Sequence, residues 1–132
     1  MRRAALLLAA AALAAGCEGQ QGPVAGELAV RLVAPRASDR GIQLIVTGRV
    51  RRLATPPGSA YLVFGDTSSN GDTARVVVVA PAGTGFTAGE LVRVLVDDTR
   101  QVRHYAARAI ALATASYQQG DTSGVSLTVV RP

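Results

Sequence analysis

The chain has 132 residues, with 14 arginines, no lysine and nine acidic residues, so its net charge is +5 at pH 7. This length accommodates one small domain. A single cysteine and a single histidine exclude an internal disulfide, and they exclude a Cys/His zinc site, a paired-ligand haem or an iron–sulfur cluster built within this chain. We therefore expect no cofactor.

The first 16 residues have the organisation of a secretory signal. Arg2 and Arg3 give a positively charged start, the run 4–15 is apolar, and the small residue Gly16 closes the segment. As a helix the apolar run is about 18 Å long, too short for a hydrocarbon core of about 30 Å. We therefore predict that residues 1–16 are a helical signal peptide and not a membrane span.

The end of this segment, Leu13-Ala14-Ala15-Gly16-Cys17, resembles the lipobox of bacterial lipoproteins. The resemblance implies cleavage between Gly16 and Cys17 and acylation of Cys17, with palmitate as a typical chain, which would anchor the protein in a membrane. Ala14 departs from the commonest pattern, and a plain secretory peptide cut nearby is the alternative. Glu18, where lipoproteins retained in the inner membrane often carry Asp, favours the outer membrane if the host has two membranes.

Removal of the signal leaves 12 arginines against nine acidic residues, a net charge of +3 in the mature chain. The arginines are scattered, and the nearest approach to a basic run is the segment 49–52. No aromatic side chains are interleaved with them to stack on bases. We therefore expect no nucleic-acid partner.

The mature chain divides into a polar segment, 17–25, predicted to be a flexible tether, and one domain, 26–132. Leu28, Val30 and Leu32 alternate with polar or small residues, which predicts a half-buried strand. Further strands are predicted at 42–46, 61–64, 75–80, 91–96 and 125–130. Apart from Arg75, the runs 61–64 and 75–80 are continuously apolar, as is typical of central strands.

The segment 101–118 is ambiguous. Its many alanines have the highest helix propensity of any residue. The stretch 104–112 also alternates with period two, however, and a lone helix among six strands would need a sheet face to cover. We favour a strand over 104–112.

One loop resembles the start of a calcium site. Asp66, Ser68, Asn70 and Asp72 place side-chain oxygens at alternate positions, with glycine at the sixth position of the loop. The twelfth position, where a bidentate carboxylate is required, is Val77. The alternative, a hairpin turn built on Asn-Gly, is favoured, and we expect no metal.

No catalytic motif is evident. His104 could act as a base with Asp97 or Asp98 only if the fold built a cleft around them, and no Gly-x-Ser-x-Gly elbow is present. Tyr61, Tyr105 and Tyr117 could stack on sugars, and a carbohydrate-binding module predicts that Tyr61, Tyr105 or Tyr117 is exposed on one face.

The segment 75–96, a valine-rich strand followed by a Gly-Thr-Gly-Phe turn and a second strand, is similar to part of a cohesin-type module, and 105–130 is similar to the end of that fold. Cohesins are jelly-roll sandwiches that bind dockerin partners through one sheet face. The resemblance implies an all-β sandwich of about seven to nine strands, with an immunoglobulin-like sandwich as the alternative.

These patterns together predict a lipid-anchored protein of the cell envelope that is not an enzyme. We expect its sandwich to bind or scaffold an envelope protein or a polysaccharide. A carbohydrate-binding or adhesion module is the alternative.

Overall fold

The computed structural model describes residues 22–35, 39–68 and 71–132. The described part consists of β1 (Gly26–Leu32), β2 (Asp39–Thr47), β3 (Val50–Ala54), β4 (Leu62–Thr67), β5 (Thr73–Val79), β6 (Gly89–Val96), a 3₁₀ helix (Thr99–His104), β7 (Ala106–Thr114), β8 (Gln119–Gly120) and β9 (Leu127–Val130).

The strands form two antiparallel sheets. One sheet has the order β3-β6-β1-β9, and the other has the order β4-β5-β2-β7-β8. Side chains from the inner faces of both sheets form one hydrophobic core. The predicted all-β sandwich is therefore confirmed, with nine strands in the described residues.

Alternation along the strands places the core between the sheets. In β2, Ile42, Leu44 and Val46 are buried while the residues between them are partly exposed. β5 repeats the pattern, because its buried residues Ala74, Val76 and Val78 alternate with exposed or half-buried ones. Burial of such side chains provides the main driving force for this fold. The half-buried strands predicted at 28–32 and 42–46 are confirmed.

The ambiguous segment contains a strand, as predicted, but the strand begins later than 104. Residues 99–104 form the 3₁₀ helix, and β7 follows at 106–114. β7 pairs with β2, and its residues Ala107 and Ala109 pack against the core. Tertiary packing overrides the helix propensity of the alanines, since their small side chains fit a sheet face closely covered by the other sheet.

The prediction that 61–64 is a central strand is wrong. β4 pairs only with β5 and lies at the edge of its sheet. Within it, Val63 packs against the core, whereas Leu62 and Phe64 are exposed. A continuous apolar run predicts burial on both faces, and here one face is open. The neighbouring edge strand β3 was not predicted, because its exposed residues Arg51 and Arg52 break the apolar pattern.

The sandwich has two distinct ends. We call the end at which β1 begins and β6 finishes the helix end, because the 3₁₀ helix follows β6 there. The turn between β2 and β3 lies at the same end, since the Tyr105 hydroxyl donates a hydrogen bond to the carbonyl oxygen of Arg49 (3.1 Å). The opposite end, which we call the far end, carries the loop 80–88 between β5 and β6.

Candidate functional site

The predicted cleavage and lipidation residues, Gly16 and Cys17, lie outside the described residues, so acylation stays a prediction. The last part of the predicted tether is attached to the domain. The backbone amide of Val24 donates to the Asp98 carboxylate (3.2 Å), and the Val24 carbonyl accepts from the Thr99 amide (2.8 Å). The chain is therefore fixed to the helix end two residues before β1 begins.

Asp98 organises this attachment. Its side chain is buried, caps the 3₁₀ helix by accepting from the Arg100 amide (3.1 Å), and pairs with the Arg100 guanidinium at 3.0 and 3.1 Å. The hydrogen bonds from the guanidinium, helped by those from the two backbone amides, lower the pKa of Asp98 well below its usual range despite the opposing effect of burial. A carboxylate held ionised by four donors is a structural acceptor and not a general acid.

Asp97 is also engaged. Its carboxylate accepts two hydrogen bonds from Arg51, at 2.9 and 3.0 Å, and these lower the pKa of Asp97. His104 lies exposed at the end of the 3₁₀ helix and makes no hydrogen bond or ion pair within the described part of the chain. Both carboxylates that could serve His104 are thus committed to arginines, and no catalytic dyad forms with either.

The calcium candidate loop connects β4 to β5 as a hairpin, as the alternative predicted. Ser68 closes the turn: its amide donates to the Thr73 carbonyl (2.8 Å), and its hydroxyl accepts from the Thr73 amide (3.3 Å). Asp66 lies on β4 opposite Arg75, and Asn70 lies outside the described residues. Among the residues that are described, no three His, Cys, Asp or Glu side chains are grouped to hold a metal ion.

The three tyrosines do not form a common stacking platform. The Tyr61 hydroxyl accepts from the Thr87 amide (3.1 Å), and its ring packs edge-on against Phe86 with the centroids 5.2 Å apart. Tyr105 is half-buried and bonded to the β2–β3 turn. Only Tyr117, 77% exposed, presents a free ring among the three.

Two polar depressions flank the loop between β3 and β4. The larger, about 560 Å³, is lined by residues 56–61 and 87–90 together with Arg93. The Arg93 guanidinium is neutralised by Glu90 (3.0 Å) and Glu27 (3.3 Å). The smaller, about 340 Å³, lies between β3 and β4. The charged centre of the larger depression is therefore already satisfied within the domain.

The outer side of the five-stranded sheet is apolar over most of its area near the far end. Eight outward positions form two rows across four neighbouring strands, and we call them the outer apolar face: Leu62, Val79, Gly41 and Ala113 in the first row, and Phe64, Val77, Gln43 and Ala111 in the second. Leu62 and Phe64 are 56% and 57% exposed, and Val77 is 37% exposed.

The middle of the outer apolar face is a hollow of about 200 Å³. It forms because Gly41, Ala111 and Ala113 carry little or no side chain where the flanking Val77 rises above the sheet. The next row toward the helix end is mostly charged, with Asp66, Arg75 and Arg108 around Ile45. The face is therefore an apolar patch with a central depression and a charged border on one side.

Sequence reasoning missed this face because it assigned the apolar run of β4 to the core. The Asn-Gly turn directly after this run predicts that β4 pairs with β5, but it does not indicate whether a second strand pairs with the other edge of β4.

No family model, no curated protein and no solved structure matches this chain. Within the described ranges, no helix combines the length and apolarity needed to cross a bilayer.

Proposed function

We propose that this chain is a lipid-anchored protein of the cell envelope whose β-sandwich is a non-enzymatic domain that binds another protein through the outer apolar face. Acylated Cys17 is the anchor, and Glu18 directs the protein to the outer membrane where one exists. The observation that carries the binding role is the exposure of Leu62 and Phe64 beside the hollow.

Exposed apolar clusters of this kind are uncommon on proteins that act alone, because water contact with them is unfavourable. Isolated exposed apolar residues would need no explanation. Here Leu62, Phe64 and Val77 are neighbours on adjacent strands, and they border a depression. A partner that covers them gains the free energy of removing this surface from water.

The chemistry of the face favours a protein over a polysaccharide. Sugars are held by hydrogen bonds to their hydroxyl groups, and Gln43 is the one polar side chain among the eight positions of the face. The hollow, at about 200 Å³, is smaller than the roughly 300–1,000 Å³ of small-molecule sites. It fits a single protruding apolar side chain of a partner, with Asp66 and Arg75 available for polar contacts at the border.

The cohesin-type resemblance is compatible with this proposal, since modules of that family use one sheet face to bind a protein. A jelly roll of that type is the finer fold that we propose, with the immunoglobulin-like sandwich as its alternative. The carbohydrate-binding alternative predicts exposed Tyr61, Tyr105 or Tyr117 on one face. Tyr61 and Tyr105 are engaged in the fold, and Tyr117 is the one of the three with a mostly exposed ring.

The proposal is tested by a photoreactive side chain placed at Phe64 in cells, with Ala82 on the exposed far-end loop as the control position. We expect one discrete protein adduct from position 64, and none of that mass from position 82. The adduct should disappear when Leu62→Asp is added, because this substitution places a charge in the apolar face without touching the core.

The crosslinked protein is then purified and titrated against the wild-type chain, Leu62→Asp and a matched control, Thr128→Asp, on the exposed side of β9. We expect Leu62→Asp to weaken binding at least tenfold and Thr128→Asp to leave it unchanged. Equal affinity for both variants, or adducts that consist only of polysaccharide, would contradict it.

A further inference from the structure

We propose that the helix end of the sandwich is a second interaction surface, which contacts the headgroups of anionic phospholipids and holds the domain upright on the membrane. This inference rests on the lipid anchor of the proposed function. The surface consists of the exposed arginines Arg49 and Arg103, with His104 beside them.

The length of the tether determines which end of the domain faces the bilayer. Val24 is fixed to the helix end by Asp98 and Thr99, and Cys17 precedes it by seven residues. Seven residues span at most about 25 Å, and a flexible chain of that length spans about 15 Å on average. The nine residues of β2 are about 30 Å long. A lipid on Cys17 therefore keeps the helix end, and not the far end, next to the bilayer.

The charges at this end are suited to an anionic surface. Arg51 and Arg100 are each paired with an aspartate, Asp97 and Asp98. Arg49 has only a 4.0 Å approach to the already paired Asp97, and its side chain is 61% exposed.

Arg103 is exposed on the 3₁₀ helix and makes no hydrogen bond or ion pair within the described ranges. Asp72, on the turn between β4 and β5, is a further carboxylate near this end, since its carbonyl accepts from the Gly48 amide (2.8 Å). The four arginines and three aspartates named here carry a net charge of +1, and Arg49 and Arg103 are the two of these arginines that donate no hydrogen bond to a carboxylate within the described ranges.

Direct contacts connect these groups into one surface. The Tyr105 hydroxyl joins the end of the 3₁₀ helix to the Arg49 carbonyl, and Asp97 joins Arg49 to β6. Headgroup contact by Arg49 and Arg103 adds about fivefold each to the population of docked domain near an anionic membrane. In this orientation the outer apolar face, whose rows lie toward the far end, is turned away from the lipid and open to a partner.

The inference is tested on the acylated chain in nanodiscs, using one introduced thiol at a time. The acylated Cys17 does not react with a maleimide fluorophore, so a label reports only the new position. Gln101→Cys places the fluorophore on the 3₁₀ helix without removing a charge, and Ala82→Cys places the fluorophore on the far-end loop. Quenching by a quencher attached to lipid headgroups is compared in phosphatidylcholine discs with and without phosphatidylglycerol.

We expect at least twofold stronger quenching at position 101 than at position 82, and a further increase at position 101 when phosphatidylglycerol is present. Arg49→Gln with Arg103→Gln should remove that increase. The matched pair Arg31→Gln with Arg40→Gln, which lie on β1 and β2 near the far end, should retain it.

Equal quenching at the two positions, or no response to phosphatidylglycerol, would overturn the inference while leaving the anchor intact. A chain that fails to enter the discs and has no acyl mass would overturn the anchor and the inference together.

Discussion

The amide of Val24 donates a hydrogen bond to the carboxylate of Asp98, 74 positions later in the chain, at 3.2 Å. The contact joins two parts of the chain: the segment after the predicted lipidation site, and the 3₁₀ helix that follows β6. The same carboxylate caps that helix and pairs with Arg100. One buried side chain therefore fixes both the entry of the chain and the local structure of the helix end.

Substitution of Asp98 by Asn should change how stability depends on pH. Because the folded pKa of Asp98 lies below the ordinary value of 3.8, its ionised form stabilises the fold above that value, and the contribution is lost as the pH falls below it. We expect Asp98→Asn to have a lower Tm than the wild type at about pH 7. The difference in Tm between the two proteins should become smaller as the pH is lowered toward about 3. Thermal unfolding across this range measures the effect.

Asp97→Asn is the control, since the Asp97 pair with Arg51 is about half exposed and such pairs contribute little. If the difference in Tm between the wild type and Asp98→Asn stays constant down to acid pH, the role assigned to Asp98 is contradicted.

Tyr105 should make stability sensitive to alkali. Burial, and secondarily the nearby aspartates, raise its pKa above 10.0. The neutral phenol that bonds Arg49 is stabilising below that value, and its contribution is lost as the pH rises through the higher folded pKa. Tyr105→Phe should cost about 0.5–1.5 kcal/mol at neutral pH by denaturant unfolding. Tyr117→Phe, at an exposed ring, should have no effect, and an equal loss in both variants would argue against the assignment.

Gly48 should not tolerate a side chain. Its φ of +122° is a conformation that residues with a Cβ rarely adopt, and a Cβ there would overlap the ring of Tyr105. We expect Gly48→Ala to lower the free energy of unfolding by at least about 1 kcal/mol in urea. Gly124→Ala, where a Cβ meets open space, is the matched control and should be near neutral. A neutral Gly48→Ala would mean that the ring does not occupy this position.

The edge position of β4 is tested by comparing two leucines. Leu44 is fully buried in β2, and Leu44→Ala should cost about 2–5 kcal/mol. Leu62 is mostly exposed in β4, and Leu62→Ala should stay within about 0.5 kcal/mol of the wild type. Chemical denaturation of both variants provides the comparison. A large loss for Leu62→Ala would show that β4 is covered within the domain itself.

The alternation of apolar and polar residues was sufficient to predict the sandwich. Successive side chains of a strand point to opposite faces of the sheet, so apolar residues such as Leu44 and its partner Val76 all point into the core. The pattern failed at β4, where the apolar side chains of Leu62 and Phe64 are exposed on the outer side of an edge strand. Hydrophobicity along a strand does not distinguish a side chain packed in the core from one exposed on the outer face of the sheet.

The attachment of Val24 to Asp98 could not be predicted from the sequence either. The sequence placed Asp97 and Asp98 only as carboxylates that could assist His104, and adjacent aspartates give no indication of which arginine each will meet. Arg51 reaches Asp97 from a strand that the sequence did not predict, and such long-range pairs depend on the registers of both sheets.

The most direct test of the account is the intact mass of the protein extracted from membranes, with the wild type measured beside Cys17→Ala. We predict a mature chain that begins at Cys17 and carries acyl chains, and the loss of that mass in the variant. An unacylated, soluble wild-type chain would contradict the anchor and with it the orientation of the domain, and it would move the search for the partner of the outer apolar face to the medium outside the cell.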